Sequence, residues 1–210
     1  MKIGGFVKQS LIDYPGKIAA VVFTQGCNFR CGYCHNPHLV LPELFQEHPE
    51  YTPGTIMDYL KAHNHWLDGV VVSGGEPTIH RDLPQFLKEI KALKLLVKLD
   101  TNGSDPVMLK QIIDEQLADY IAMDIKTIPE NSRYEGVIGI PCEGQLLGSV
   151  LSSIALLNHA GITAEFRTTL IPGEHTAEFP GQIRSLIGHG IPFNANDYRD
   201  GPTVFSVKNQ

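Results

Sequence analysis

What most constrains the fold of this chain is a repeated change of hydrophobic period. Short apolar runs of strand length lie at residues 18–24, 69–72, 95–99, 120–123, 162–169 and 191–193. Between them, apolar side chains recur at helical spacing over 55–65, 83–93, 106–115, 145–158 and 177–187. Punctuation agrees with this division: Gly161 and Gly190 each follow a helical segment, and Pro53-Gly54 leads into the first one. Strand–helix alternation at this spacing implies right-handed crossovers and a mainly parallel sheet, so the fold class is α/β. Six strands are two short of a closed eight-stranded barrel, and the pattern alone allows an open doubly wound sheet or an incomplete barrel. Both architectures carry their chemistry in the loops after the strands. No repeat, low-complexity tract or linker divides the chain, so a single domain over 1–210 is expected.

Seventeen basic against 23 acidic side chains give a formal charge of -6, which argues against general affinity for nucleic acid or an anionic membrane. The amino terminus has no apolar stretch resembling a signal peptide, and the longest apolar runs are too short to cross a bilayer, so a soluble cytoplasmic protein is expected. Three of the four cysteines crowd between positions 27 and 34. A disulfide scaffold would spread an even set through a small secreted chain, so metal ligation or redox chemistry is the better reading. Cys142 stands alone and reads as an ordinary thiol.

The first strand ends in Thr24-Gln25-Gly26-Cys27-Asn28-Phe29-Arg30-Cys31-Gly32-Tyr33-Cys34-His35-Asn36. Gly26 and Gly32 permit the turns that let three thiolates wrap one metal centre. Thiolates suit zinc, Cu(I) and iron–sulfur clusters. A structural zinc site closes with a fourth ligand, for which His35 or His38 is available. A 4Fe–4S cluster takes four cysteines as a rule, so three leave one iron open.

The spacing Cys27-x3-Cys31-x2-Cys34, with Tyr33 before the last cysteine, resembles the signature of the radical S-adenosylmethionine superfamily. That resemblance implies a partial (β/α)6 barrel and a 4Fe–4S cluster whose open iron binds the methionine moiety of S-adenosylmethionine, with Tyr33 near the adenine. The second strand is followed by Ser73-Gly74-Gly75-Glu76-Pro77, similar to the superfamily's Gly-Gly-Glu-Pro motif. In that motif Gly74, Gly75 and Glu76 are implied to meet the methionine amino group. The third and fourth strands end in Asp100-Thr101-Asn102-Gly103 and Met123-Asp124-Ile125-Lys126. These resemble elements of glycyl-radical-enzyme activases, where Thr101, Asn102, Asp124 and Lys126 would line the cofactor pocket. Asp100 and Asp124 are there implied to bind a monovalent cation. In the fifth strand, alternation puts Glu165, Arg167 and Thr169 on one face. A buried charged pair is costly without partners, so Arg167 either closes an ion pair inside the barrel or, as the resemblance implies, reaches toward S-adenosylmethionine. Asn194, in the sixth strand, matches a position that contacts the adenosyl group.

The opening run Ser10-Leu11-Ile12-Asp13-Tyr14-Pro15-Gly16 resembles the Asp-x-Pro-Gly lead-in of activating enzymes, which implies Asp13 as the catalytic residue at a barrel mouth shared with Asn36 and Asn194. Within the activases, Tyr33-Cys34-His35-Asn36-Pro37 and Glu165-Phe166-Arg167-Thr168-Thr169 resemble those that serve anaerobic ribonucleoside-triphosphate reductase. The implied reaction is reductive cleavage of S-adenosylmethionine to a 5′-deoxyadenosyl radical, which generates a glycyl radical on a partner enzyme. A low-potential one-electron donor such as a flavodoxin or ferredoxin is implied with it. Cys142 alone cannot assemble a second cluster, which excludes radical enzymes with auxiliary clusters. Two other readings stay open: a radical enzyme acting on a small molecule, and a non-catalytic zinc or iron–sulfur module.

Overall fold

Valine-rich runs build the centre of the molecule. The computed structural model describes residues 1–142 and 145–208. Seven strands form one sheet: β1 (Ile3–Ser10), β2 (Ala19–Thr24), β3 (Gly69–Gly74), β4 (Leu96–Thr101), β5 (Tyr120–Asp124), β6 (Thr163–Leu170) and β7 (Phe193–Asp197). They lie in sequence order, with β1 antiparallel to β2 and every later pair parallel. Strands buried on both faces need no polar alternation, and β2 and β3 accordingly open as unbroken buried apolar runs. Of the two architectures that the alternation allowed, the sheet is the incomplete barrel that the resemblance implied, with β1 and β7 as its edges.

The helices are α1 (Pro37–Val40), α2 (Pro53–His63), α3 (Leu83–Ala92), α4 (Pro106–Asp114), α5 (Asn131–Ile138), α6 (Leu146–His159), α7 (Phe179–Arg184) and α8 (Val204–Lys208). Local chemistry sets their ends. Thr52 and Thr55 form a capping box on α2, and Asp105 accepts the Val107 and Met108 N–H groups at the start of α4. Outward-facing strand residues such as Val22, Val72, Leu99 and Ile121 pack with Leu60, Leu87, Ile112 and Ile154 of the helices. A smaller apolar group fills the inside of the barrel: Tyr14, Ala19, Val21 and Val71, with Phe23, Leu96 and Tyr120 against them. No helix among the described residues is long and apolar enough to cross a membrane.

Four elements exceed the sequence expectation, the short helix α1 after the cysteines being one. β1 is an additional strand, α5 an additional helix, and a short terminal helix α8 returns to the cysteine loop. β7 begins where the expected 191–193 strand ends and continues through Asp197.

Candidate active site

The carboxyl ends of the parallel strands surround a cavity of about 250 Å3. Cys27, Cys31 and Cys34 line it from the loop after β2, and Ser73 to Glu76 from the end of β3. Asp100, Thr101 and Asn102 enter from β4, Asp124 and Lys126 from β5, and Arg167 and Thr169 from β6. Tyr33, His35 and Asn36 complete the cysteine side.

The cysteine loop is held from several directions. Gly26 N–H donates to the Leu39 carbonyl at 2.8 Å, and Arg30 N–H donates to the Ile138 carbonyl at 2.7 Å. The Arg30 guanidinium folds back onto the carbonyls of Cys27 and Phe29. Asn102 Nδ2 donates to Asn28 Oδ1 at 2.9 Å, and Asn28 Nδ2 donates to Ser104 Oγ at 2.8 Å, which ties this loop to the one after β4. From below, the terminal segment supports it: Val204 N–H donates to the Cys34 carbonyl and Phe205 N–H to the Gly32 carbonyl. None of the positions in this terminal support carries a motif in the sequence.

Glu76 lines the cavity, but its carboxylate is only 1% exposed and is committed to the protein. Oε1 accepts from Thr78 N–H at 3.1 Å, Thr78 Oγ1 at 2.5 Å and Thr101 Oγ1 at 2.7 Å, and Oε2 accepts from Asn102 N–H at 2.7 Å. Burial raises its pKa despite these bonds. Glu76, Thr101 and Asn102 therefore act together as the brace that locks the loops after β3 and β4. Gly75 is needed for close approach: a Cβ there would stand 2.0 Å from the Gly26 carbonyl oxygen.

Opposite the cysteines lies a chain of charges. Arg167 Nε donates to Asp124 Oδ1 at 2.9 Å, and Lys126 Nζ donates to Asp124 Oδ2 at 3.1 Å. Burial opposes ionisation of Asp124, but the Arg167 and Lys126 charges outweigh it and hold its pKa at about 2. Burial likewise works against the charge on Lys126, and Asp124 reverses the effect and raises its pKa. Arg167 pairs inside the barrel and also lines the cavity.

Two expected site residues lie elsewhere. Ser10 at the end of antiparallel β1 pairs with Ala19 at the start of β2, so the Asp13 loop sits at the amino end of the parallel strands, across the sheet from the cavity. There Asp13 accepts a hydrogen bond from Ser10 Oγ at 2.5 Å. Asn194 pairs in register with Arg167 on an exposed edge strand and donates to Glu165 Oε2 at 2.6 Å, away from the cavity lining. The two carboxylates expected to bind a monovalent cation are paired with side-chain cations instead. Both oxygens of Asp124 are bonded to side-chain cations, Lys98 Nζ donates to Asp100 Oδ1 at 2.5 Å, and Arg167 stands 3.5 Å from Asp100 Oδ2. Lys98 is the residue that the sequence analysis missed.

The donor set fits a cluster better than a single zinc ion. His35 Nε2 bonds the Arg199 carbonyl at 2.7 Å and its ring leans on Tyr198, while His38 points to solvent, so neither completes a knuckle. Among the described residues, no three His, Cys, Asp or Glu side chains are set to hold one ion. Burial pushes the Cys27 thiol up to about 12 and raises that of Cys31, so these sulfurs ionise when a metal displaces their protons.

Residues 21–185 match the family model of the radical SAM superfamily. A protein of Methanocaldococcus jannaschii assigned as a glycyl-radical enzyme activating enzyme is 33% identical over 180 residues, covering 81% of this chain and 68% of the relative. The pyruvate formate-lyase-activating enzyme of Staphylococcus epidermidis is 34% identical over 146 residues, covering 62% of this chain and 54% of the relative. The chain thus spans about two thirds of the first and about half of the second. Among solved structures, Streptococcus suis SuiB bound to S-adenosylmethionine superposes with a TM-score of 0.64 at 15% identity, over 89% of this chain and 44% of that one. The anSMEcpe structure with bound AdoMet gives 0.61 at 13% identity, over 84% of this chain and 50% of that one. These two likenesses are of fold.

Proposed function

This chain belongs to the radical SAM superfamily and, within it, to the glycyl-radical enzyme activating enzymes; from that premise we propose that it installs a glycyl radical on a separate protein, anaerobic ribonucleoside-triphosphate reductase. The observation that carries the reading is three cysteines lining one cavity at the carboxyl ends of the strands, faced by Lys126, Asp124 and Arg167. The support for the reductase as partner is the pair of runs Tyr33-Cys34-His35-Asn36-Pro37 and Glu165-Phe166-Arg167-Thr168-Thr169.

In this reading Cys27, Cys31 and Cys34 hold a 4Fe–4S cluster, and Tyr33, Gly74, Gly75, Asp124, Lys126 and Arg167 line the seat of S-adenosylmethionine. The cluster, when bound and reduced by a flavodoxin or ferredoxin, supplies the electron that splits S-adenosylmethionine into methionine and a 5′-deoxyadenosyl radical able to take hydrogen from glycine. The protein's part is placement. Lys126 and Arg167 present fixed positive charge to the methionine carboxylate, and Asp124 keeps both cations oriented before any ligand arrives. The Glu76–Thr101–Asn102 brace fixes the β3 and β4 loops to each other, and Asn102 through Asn28 holds the cysteine loop to the same frame, so cluster and cofactor would meet in a preset geometry.

The test is electron paramagnetic resonance on an anaerobic mixture of the reconstituted, reduced chain, S-adenosylmethionine and the reductase. A doublet that collapses when the reductase is labelled with deuterated glycine is expected. Cofactor cleavage that depends on a small molecule and never yields a protein radical would refute the reading. Iron analysis gives the companion result: Ala at any one of positions 27, 31 or 34 should abolish the cluster, and Cys142→Ala should retain it.

A further inference from the structure

A lysine that is 2% exposed inside a barrel needs a partner for its ammonium group, and Lys98 has one. It projects from β4 to the inner face, two residues before Asp100, and its ammonium reaches Asp100 Oδ1 at 2.5 Å while lying 5.8 Å from the centre of the Tyr120 ring. Asp100 then faces Arg167, Arg167 binds Asp124, and Asp124 binds Lys126. Three strands are linked in this way by one ionic chain running from the barrel interior to the cavity wall. Glu165, which accepts from Asn194, is the third carboxylate on this inner face, so three cations meet three anions. A hard cation collects several oxygens at once, and the oxygens of Asp100 and Asp124 are already directed at nitrogen.

We infer that the Lys98 ammonium is a built-in counter-cation: it takes the place of an external monovalent ion at Asp100, and through Asp100 it positions Arg167 against Asp124 at the cavity wall. Lys98 is a positioning residue, since it does not line the cavity itself. Two consequences follow from its burial. The pocket is insensitive to which alkali ion the medium contains, because the charge that such an ion would supply is covalently attached. Removing that charge leaves the half-buried Asp100 with a single, longer contact to Arg167, and creates a vacancy that a small ion can enter and a bulky one cannot. The inference concerns the pocket itself and holds whichever substrate the chain serves.

The experiment compares wild type, Lys98→Met and Lys98→Arg in buffers of equal ionic strength whose only salt is potassium, sodium or tetramethylammonium chloride. The first readout is thermal unfolding of the apoprotein, which needs neither cluster nor partner. Wild type and Lys98→Arg should melt at the same temperature in all three salts, whereas Lys98→Met should melt lower in tetramethylammonium and recover part of the loss in potassium or sodium. The second readout is S-adenosylmethionine binding by the cluster-loaded protein. Affinity should be independent of the salt in wild type, and about tenfold weaker for Lys98→Met in tetramethylammonium than in potassium or sodium. If Lys98→Met does not fold, Lys98→Gln, which offers Asp100 a donor without charge, takes its place with the same expected response. A wild-type protein that needs potassium or sodium for affinity or stability would overturn the inference. So would a charge-free variant that is indifferent to the ion, or a Lys98→Arg variant that responds as strongly as the charge-free one.

Discussion

Replacing Gly75 by alanine tests how tightly the cysteine loop is seated on the end of β3. Gly75 has no left-handed φ, so the substitution is a matter of space alone. Its Cβ would stand 2.0 Å from the Gly26 carbonyl oxygen, 2.6 Å from the carbonyl carbon and 3.0 Å from the Leu39 oxygen. All three are backbone atoms and cannot swing aside as a side chain would. Restoring ordinary contact at 3.4 Å requires the Gly26 carbonyl to retreat by about 1.4 Å. That movement breaks the bond in which Glu76 N–H donates to the same oxygen at 2.8 Å. Overpacking costs about 1–3 kcal/mol and the lost bond about 1 kcal/mol more, so Gly75→Ala should destabilise the apoprotein by about 2–4 kcal/mol. Urea unfolding followed by circular dichroism measures this. Gly136→Ala is the matched control: it lies within α5 with nothing inside 4 Å of its Cβ, and should stabilise by up to about 1 kcal/mol. A Gly75→Ala midpoint equivalent to less than about 0.5 kcal/mol from wild type would show that the two loops are not in the close contact described.

Glu76→Gln places an amide where both carboxylate oxygens accept hydrogen bonds, and should cost about 3 kcal/mol in urea unfolding; a neutral result would refute the brace. Asp124, held at about 2 from its ordinary 3.8, makes the folded chain bind fewer protons than the unfolded one between those values. Its contribution to stability is therefore complete above pH 3.8 and lost as pH falls through about 2, and thermal melts across that window should fall less steeply for Asp124→Asn; equal slopes would refute the pairing. Ending the chain at Asp197 removes the Val204 and Phe205 bonds to the cysteine loop, so the reconstituted cluster should bleach faster in air than in the full chain, and an unchanged half-life by absorbance would contradict a supporting role.

The parts of the fold that could be read in advance are those where burial imposes a period. β2 to β6 are buried on both faces or one, and their apolar runs match the strands to within a residue or two at each end. β1 escaped because Gly4 and Gly5 follow its first residue and it then mixes Val7 with Lys8 and Gln9, and an edge strand answers to only one neighbour. β7 ran past its expected end because Asn194 to Asp197 are exposed and owe their extended form to pairing with β6, which leaves no hydrophobic trace. α5 buries little besides Tyr134, Val137 and Ile138, and Gly136 interrupts what pattern there is. The site was legible for a related reason: each of its motifs follows a strand, and parallel strands deliver their following loops to one end. Asp13 was put at the barrel mouth by the resemblance alone. It follows a strand too, but an antiparallel one, and so is delivered to the opposite end.

The barrel interior shows why chemistry collects where it does, and how Lys98 could have been found. Along each strand the inward residues change character from the amino to the carboxyl end: Leu96, Lys98, Asp100 in β4, and Tyr120, Ala122, Asp124 in β5. The lowest of these pack with Tyr14, Ala19 and Val71, which seals the base of the barrel with apolar side chains. Charge begins at Lys98, level with Tyr120, and the carboxylates follow in the upper positions, where one strand's carboxylate can meet a cation from the next. Outward residues in the same strands, Val97, Leu99, Ile121 and Met123, stay apolar throughout because helices cover them. A charged residue in an inward position of a parallel strand is therefore expensive unless its neighbour strand supplies the opposite sign at the same height. Register does this for Asp124, which pairs with Arg167; Asp100 lies level with Ala122 and Glu165 and finds its cations one step away, in Lys98 of its own strand and Arg167 of β6. Lys98 sits one inward step below Asp100 and is the lowest cation in this arrangement. Its burial makes sense only if the carboxylate above it is worth holding in place, and that carboxylate is the one facing Arg167.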